Sequence, residues 1–538
     1  MSIFGLFEIG KSAILTSQTA LNVTSNNIAN VNTPGYNRKE VILSIATPVA
    51  IRGGFIGRGV VVSDIRRIYN RFIQSQLLTQ NQNHGRSSVM MEILEQIEQI
   101  FNEAGDTGLE STLSEFFNAW NDVATNPQSV PQREVLIERA RSIVNTAKNM
   151  ESRIISTLKH INEDIENTVK QINTIASQIA ELNDKIVQIE AGLNQEKALD
   201  LRDERDRLLE ELSKLVNISV YEDKNGSVTV TVGMRNLVSG ENVNTIYTVK
   251  NKFGNREIYI DKLNITPNVL RGRLGGLLSV RNYIESHPLH DLRKLVTSLV
   301  KEINLLHRQG YGLDSSTGNV FFNQLELSTM DFSTGADITA TILDHSLITL
   351  DEYYITFDST DYYVYNKQTD ALITSGTYIS GNPIVFDGIE VVITGTVTPS
   401  DEFIVSPLED AIENFDVAIS DPQKVASASS DTGLPGDNQN ALQIVELFHS
   451  PLSNLGNITF TDYLREIVSN TGTVSKAASD NLKFDTTLLE DVKNRRESIS
   501  GVSLDEEAIN LIRFQRAFEA GARIIKVTDE LLQTIIQL

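Results

Sequence analysis

The chain has 538 residues, a net charge of −23 and no cysteine. That length accommodates about three domains with a sizeable core. The acidic balance argues against a nucleic-acid partner, which needs clustered Lys and Arg. The lack of Cys removes disulfides, thiolate chemistry and thiolate-bound zinc together. No run of about 18 apolar residues occurs, so no membrane insertion is expected.

In the first thirty residues Phe7, Ile14, Leu21 and Ile28 recur every seven positions, with Ile3, Gly10, Ser17 and Thr24 between them. That spacing predicts a helix with a coiled-coil seam. Ile3, Phe4, Leu6, Phe7 and Ile9 cover most of the circumference of its first turns, so it needs neighbours on several sides. No basic region precedes Ile3 and Glu8 interrupts the apolar run, which makes a poor secretory signal. The helix is expected to end among Asn26, Asn27, Asn30 and Asn32. Thr33-Pro34-Gly35-Tyr36 follows, with Pro then Gly in the central positions of a type II turn. The specific reading of that turn is a hinge that sets the angle of the terminal helix. Val41, Leu43 and Ile45 then alternate like a strand, ahead of a Gly-rich segment from Gly53 to Gly59.

Residues 69–125 read as helices and include the single Trp, Trp120. From Ile154 to Leu193 an apolar stripe keeps 3–4 spacing with one polar interruption at Thr168, predicting a rod of about 60 Å with an antiparallel partner in the chain. DLRDERDRLLEELSKL (Asp200 to Leu215) reads as a charge-laced helix whose ion pairs are solvated i,i+4 support. From Asn217 the period changes to two, with Asn225-Gly226 as a hairpin turn. Helix is expected at 274–307, broken near Pro288. Strands are expected within 317–407, and helix from Leu408 to the end. Ser503 and Glu506 form an S-x-x-E capping box for a last helix whose stripe includes Leu511, Phe518, Ile525 and Leu532.

The fold class is therefore mainly α with β insertions, a helical frame bearing two β-rich inserts. The expected division is 1–40 with 503–538 as a terminal coiled coil. A helical frame takes 41–216, 271–316 and 408–502, and the β-rich outer parts are 217–270 and 317–407. Two seamed helices at opposite ends of the chain are expected to meet. Candidate subunit-interface residues are Ile3, Phe7, Ile14, Leu21 and Ile28, with Leu511, Phe518, Ile525 and Leu532.

Gly5-Leu6-Phe7-Glu8-Ile9-Gly10-Lys11-Ser12 satisfies the P-loop pattern, but too few residues precede it for a strand and Glu8 would repel a phosphate. His287 and His290 do not share a helix face as a metal pair would require. Asp314 to Asn319 lacks the terminal bidentate Glu of a calcium loop. No catalytic constellation, cofactor site or metal site is expected.

SNNIANVNTPGYNR (Ser25 to Arg38) resembles the signature of the rod, hook and hook-associated proteins of the bacterial flagellum. SGVSLDEEAINLIRFQRAFEAGARIIKVTDELLQTI (Ser500 to Ile535) resembles that family's C-terminal helix. LRDERDRLLEEL, EINLLHRQGYGLD running into GNVFF, and LPGDNQNALQIVEL are similar to stretches of the members that join hook to filament. The terminal motifs alone fit a hook or distal rod subunit equally. Phe518 and Gly521 depart from the family's usual residues, and Gly521 could admit a close helix contact at a cost of up to about 1 kcal/mol in helix propensity. The matched turn residues are Asn30, Thr33, Pro34, Gly35 and Tyr36.

The resemblance implies a non-enzymatic extracellular protein that assembles as a ring of subunits through its terminal helices. It also implies, as partners, copies of itself, the hook protein, the next hook-associated protein and a cytoplasmic export chaperone on the C-terminal helix. Export would be by the flagellar type III apparatus, without cleavage of a signal peptide.

Overall fold

The computed structural model describes residues 3–51, 54–101, 108–192, 197–333 and 335–537. Leu193, the last residue of the long stripe, and Gly53 lie outside them. The helices are α1 (Ile3–Ala29), α2 (Arg71–Phe101), α3 (Leu109–Thr125), α4 (Val130–Glu190), α5 (Leu199–Leu215), α6 (Gly272–Ile284), α7 (His290–His307), α8 (Gln439–Leu447), α9 (Phe460–Ser500) and α10 (Leu504–Gln537). The chain divides into two compact units, residues 1–89, 164–277 and 479–538 in one, and 90–163 and 278–478 in the other.

In the first unit α1 and α10 pack along each other, as the terminal stripes predict. Strands β1 (Lys39–Ile45), β2 (Val49–Ile51), β3 (Gly54–Ile56) and β4 (Val60–Arg67) form an arm in which β1 pairs antiparallel with β4 and β2 with β3. The arm lies against α1, where Gly59 leaves no room for a Cβ beside Ser12. The start of α2 and the end of α9 bury Ile73, Leu77, Leu489 and Val492 together.

Residues 218–264 form two antiparallel sheets, and Asn225-Gly226 makes the expected turn with Gly226 at φ +86°. The later part of α4 meets these sheets, and α5 also reaches it there through Arg202 to Glu190 and Arg205 to Asn183, so the stripe's partner includes sheet as well as helix. Asn183, fully buried where the stripe expected Leu182, donates to the carbonyls of Val228 and Gly240, both at 2.9 Å, and accepts from the Val228 N–H. Asn173 exchanges a similar pair of bonds with Ile246. Amide side chains can satisfy strand backbone that a row of leucines would leave unpaired.

The second unit is organised around Trp120, which packs against Phe116, Phe321 and His307. The helix break near Pro288 is a π-turn over Glu285–Leu289 that joins α6 to α7. Ring and carbonyl clash at a helical proline is relieved by such a widened turn. Between Leu408 and Asn438 the chain is mostly irregular, not helical as expected. Asp421-Pro422 and Leu434-Pro435-Gly436 interrupt any helix there.

The outer β region of this unit has a five-stranded and a three-stranded sheet built from Ser328–Asp331 to Glu402–Ser406. Tyr353, Ile355, Val364, Val391, Ile393 and Phe403 fill the space between them, following the period-two pattern,.

Candidate assembly interface

The seam between α1 and α10 is built from small and polar residues. Gly10, Thr16, Ser17, Ala20, Thr24 and Asn27 are buried on α1, and Glu507, Gly521 and Thr528 on α10. A Cβ on Gly10 would lie 2.8 Å from Ile525 Cγ1 and 3.2 Å from the Gly521 carbonyl oxygen. One on Gly521 would lie 3.0 Å from Ile14 Cγ1 and 3.2 Å from the Gly10 carbonyl oxygen. The two glycines let the backbones touch, which accounts for a helix-weakening residue in the middle of α10.

A narrow seam has a consequence for the large side chains. Ile3, Ile14, Leu21, Ile28, Leu511, Phe518, Ile525 and Leu532 are half-buried on its flanks, while Phe7 is exposed. Ile14 and Ile525 are thus partly spent within the chain. The apolar groups left in the open are mainly others: Phe4 and Leu15 on α1, Ile509, Ile512, Val527 and Leu531 on α10, and Ile45 and Phe55 on the arm. Ile509 and Phe55 keep 67% and 77% of their surface. At about 100° per residue, Ile509, Ile512, Val527 and Leu531 share the face of α10 opposite the seam.

The base of the pair is polar. The expected turn is present, with the Tyr36 N–H donating to the Thr33 carbonyl at 3.2 Å and Gly35 at φ +84°,. Asn30 accepts from the Thr33 hydroxyl, and Pro34 is exposed. The Tyr36 hydroxyl donates to Asn27 Oδ1 at 2.9 Å, and Asn27 Nδ2 donates to Glu507 Oε2 at 3.1 Å. Burial, and then the nearby carboxylates of Asp200, Asp203 and Glu507, push the Tyr36 phenol well above its ordinary range, so the hydroxyl stays protonated as a donor,.

Sequence reasoning missed Asn27 and Glu507. The signal was available, because Asn27 stands three residues after Thr24 on the small-residue row, where a buried amide can fix register. The capping box is half formed. Ser503 Oγ accepts from the Glu506 N–H at 3.5 Å, but the Glu506 carboxylate turns to Arg38.

Helix α5 is the largest correction. Arg207, with Glu204 and Glu211, makes the expected solvated pairs. Asp203, Arg205 and Asp206 are buried. Arg67 reaches Asp203 at 2.7 Å and Asp206 at 2.9 Å, while Arg205 donates to Asn183 Oδ1 and to the Gly226 carbonyl. Burial opposes the charge on Glu190, but bonds from Arg202, Lys197 and the Ala198 N–H outweigh it and pull its carboxyl down to about 2.

The P-loop alternative fails on conformation. Residues 5–12 lie inside α1, the amides of 7–12 are spent on helix bonds so no loop wraps a phosphate, and Lys11 is exposed,. His287 contacts Ser286, His290 faces Glu352 at 3.5 Å, and Asp291 accepts from Tyr463. Among the described residues no group of three or more His, Asp or Glu is arranged to hold a metal ion, and no helix is long and apolar enough to cross a membrane. Asp314 caps its own loop through the Ser316 N–H and hydroxyl.

Four families match parts of the chain. Residues 94–322 match the helical domain of the flagellar hook-associated protein FlgK, and residues 328–407 the D2-like domain of flagellar hook-associated protein 1. Residues 7–37 match the flagella basal body rod protein, and 495–538 the C-terminal part of the flagellar basal body rod FlgEFG protein. Flagellar hook-associated protein 1 of Salmonella typhimurium is 30% identical over 556 residues, covering 99% of each chain. The proteins of that name from Escherichia coli and Bacillus subtilis are 28% and 26% identical, covering 98–99% of either chain in each pair. The flagellar hook junction protein of Burkholderia pseudomallei shares the fold at a TM-score of 0.66 and 17% identity, covering 79% of this chain and all of that one. The chain belongs to the flagellar hook-associated protein 1 family.

Proposed function

We propose that the chain is a structural subunit of the bacterial flagellum that joins the hook to the filament. Copies associate as a ring through the outward faces of their terminal helices. The observation that carries this is the set Ile509, Ile512, Val527 and Leu531, exposed on α10 away from its contact with α1. Two helices with a narrow seam cannot cover so much apolar surface, and other copies can. The relatives' shared name and the match to the hook-associated helical domain at 94–322 favour the junction over a hook or distal rod subunit.

In this reading the chain has three working parts: a terminal coiled coil at 1–40 and 503–538, a load-bearing helical frame, and outward β-rich inserts. The eight flanking residues from Ile3 to Leu532 named above and the exposed Phe7 line the assembly contact together with the exposed set. The partners are copies of itself, the hook protein below, and the next hook-associated protein above. Before assembly a cytoplasmic chaperone covers α10, and export follows the flagellar type III route.

The test is location. Antibody-labelled protein on intact flagella is expected as a single band where hook meets filament. Label spread along the hook or within the rod would overturn the junction reading, as would assembly of the purified chain into long tubes.

A further inference from the structure

Three consecutive residues, two just ahead of β1 and its first, Lys39, tie the chain here to several elements of the first unit. Asn37 donates its amide to Asp203 Oδ1 of α5 at 2.6 Å. The Arg38 N–H donates to the Ser500 carbonyl at the end of α9 at 2.9 Å, and its guanidinium pairs with Glu506 in the first turn of α10. The Lys39 N–H donates to Asn27 Oδ1 at 3.0 Å, and its carbonyl accepts from Asn27 Nδ2 at 2.9 Å. The Lys39 ammonium pairs with Asp200 of α5. The same Asp203 Oδ1 also accepts from Arg67 of β4 at 2.7 Å. Asn37 and Lys39 are themselves buried, at 5% and 8% exposure.

A hinge needs a segment with few contacts, free to absorb a change in backbone angles. Residues 37–39 are the opposite. Their bonds run to α1, α5, α9 and α10, are directional, and are largely shielded from water. Rotation of the helix pair about this point would break several at once and strand buried charge. We infer that Asn37–Lys39 is a rigid joint, not a hinge, fixing the angle of the α1–α10 pair on α5. Force entering through the terminal helices then passes into the frame without bending at the turn; that last step alone rests on the proposed junction role.

Because the chain lacks cysteine, spin labels can be placed singly in the full-length protein. Gln18→Cys on α1 and Lys224→Cys on the hairpin turn are both at exposed positions. Pulsed electron–electron resonance is expected to give one narrow distance between them. Combining Asn37→Ala with Lys39→Ala should replace it by a broad distribution, while Arg66→Ala, in an exposed pair of the arm, should leave it narrow. An unchanged narrow distance in the double variant overturns the joint. If that variant fails to fold, Asn37→Asp, which sets a carboxylate against Asp203, is held to the same criterion. A broad distance already present in the unsubstituted chain would also refute the joint, whatever its location on the flagellum.

Discussion

The outer β region and the terminal helix pair both carry many apolar side chains and dispose of them differently. In the outer region Tyr353, Ile355, Val391 and Phe403 lie fully buried between two sheets of the same segment. In the terminal pair the buried positions are Gly, Ala, Ser, Thr, Asn and one Glu, and the large apolar side chains sit on the flanks or in the open. A layer is finished when its apolar face meets another layer, and only the outer region has that second layer within the chain. The first is closed by its own segment, and in the proposed reading the second is completed by assembly.

The sharpest way to break this contrast is to remove α10. Deleting residues 504–538 is expected to abolish incorporation into flagella, while near-ultraviolet circular dichroism from the Trp120 core stays as in the intact chain. Incorporation of the truncated chain would contradict it.

Point substitutions separate the two regions further. Ile355→Ala in the outer core should cost about 2–5 kcal/mol of that region's stability, read by thermal unfolding, with assembly retained below the transition. Val527→Asp or Ile512→Asp, on the open face, should change stability by no more than about 0.5 kcal/mol yet prevent incorporation. Ile14→Asp and Ile525→Asp are expected to do both kinds of damage, because those residues also touch the opposing glycines.

The last expected effect is a pH dependence arising in the core around Trp120, where His307 packs. His307 is buried, Nδ1 donating to the Asn319 carbonyl at 2.8 Å and Nε2 accepting from the Ala426 N–H at 2.9 Å. Burial holds its pKa down to about 4. The folded state therefore prefers the neutral ring, and the stability this gives is complete above the ordinary value of about 6.5 and is lost as pH falls toward 4. The swing is about 3 kcal/mol at most. His307→Gln should flatten that slope in chemical denaturation between pH 6.5 and 4. An unchanged slope would place the acid sensitivity elsewhere.

Periodicity carried much of the architecture. The terminal stripes gave helices that meet, Pro34-Gly35 gave its turn, Asn225-Gly226 its hairpin, and the alternation in 353–406 its sheets. What stayed illegible depended on which polar residues would be buried. Asp203, Arg205, Asn183 and Glu507 look like surface in a one-dimensional pattern, because a buried ion or amide is identified only by its partner. Those partners lie far along the chain, Asn37 and Arg67 for Asp203 and Asn27 for Glu507. In the α1–α10 seam the small residues Gly10, Ser17 and Thr24 and the close contact at Gly521 were legible, and only the place of the large side chains was not. Hydrophobic spacing favours Phe7, Ile14 and Leu21, whereas close approach of two backbones favours Gly10 and Gly521.

Amide hydrogen exchange on residues 3–29 and 504–537, in the isolated chain and in assembled flagella, tests the central claim most directly. The account predicts that these two helices, folded as a pair, exchange faster in the isolated chain than the outer sheets do, and that both gain strong protection after assembly. Terminal helices as protected alone as in the flagellum would contradict it, because their surfaces would then need no neighbouring copy.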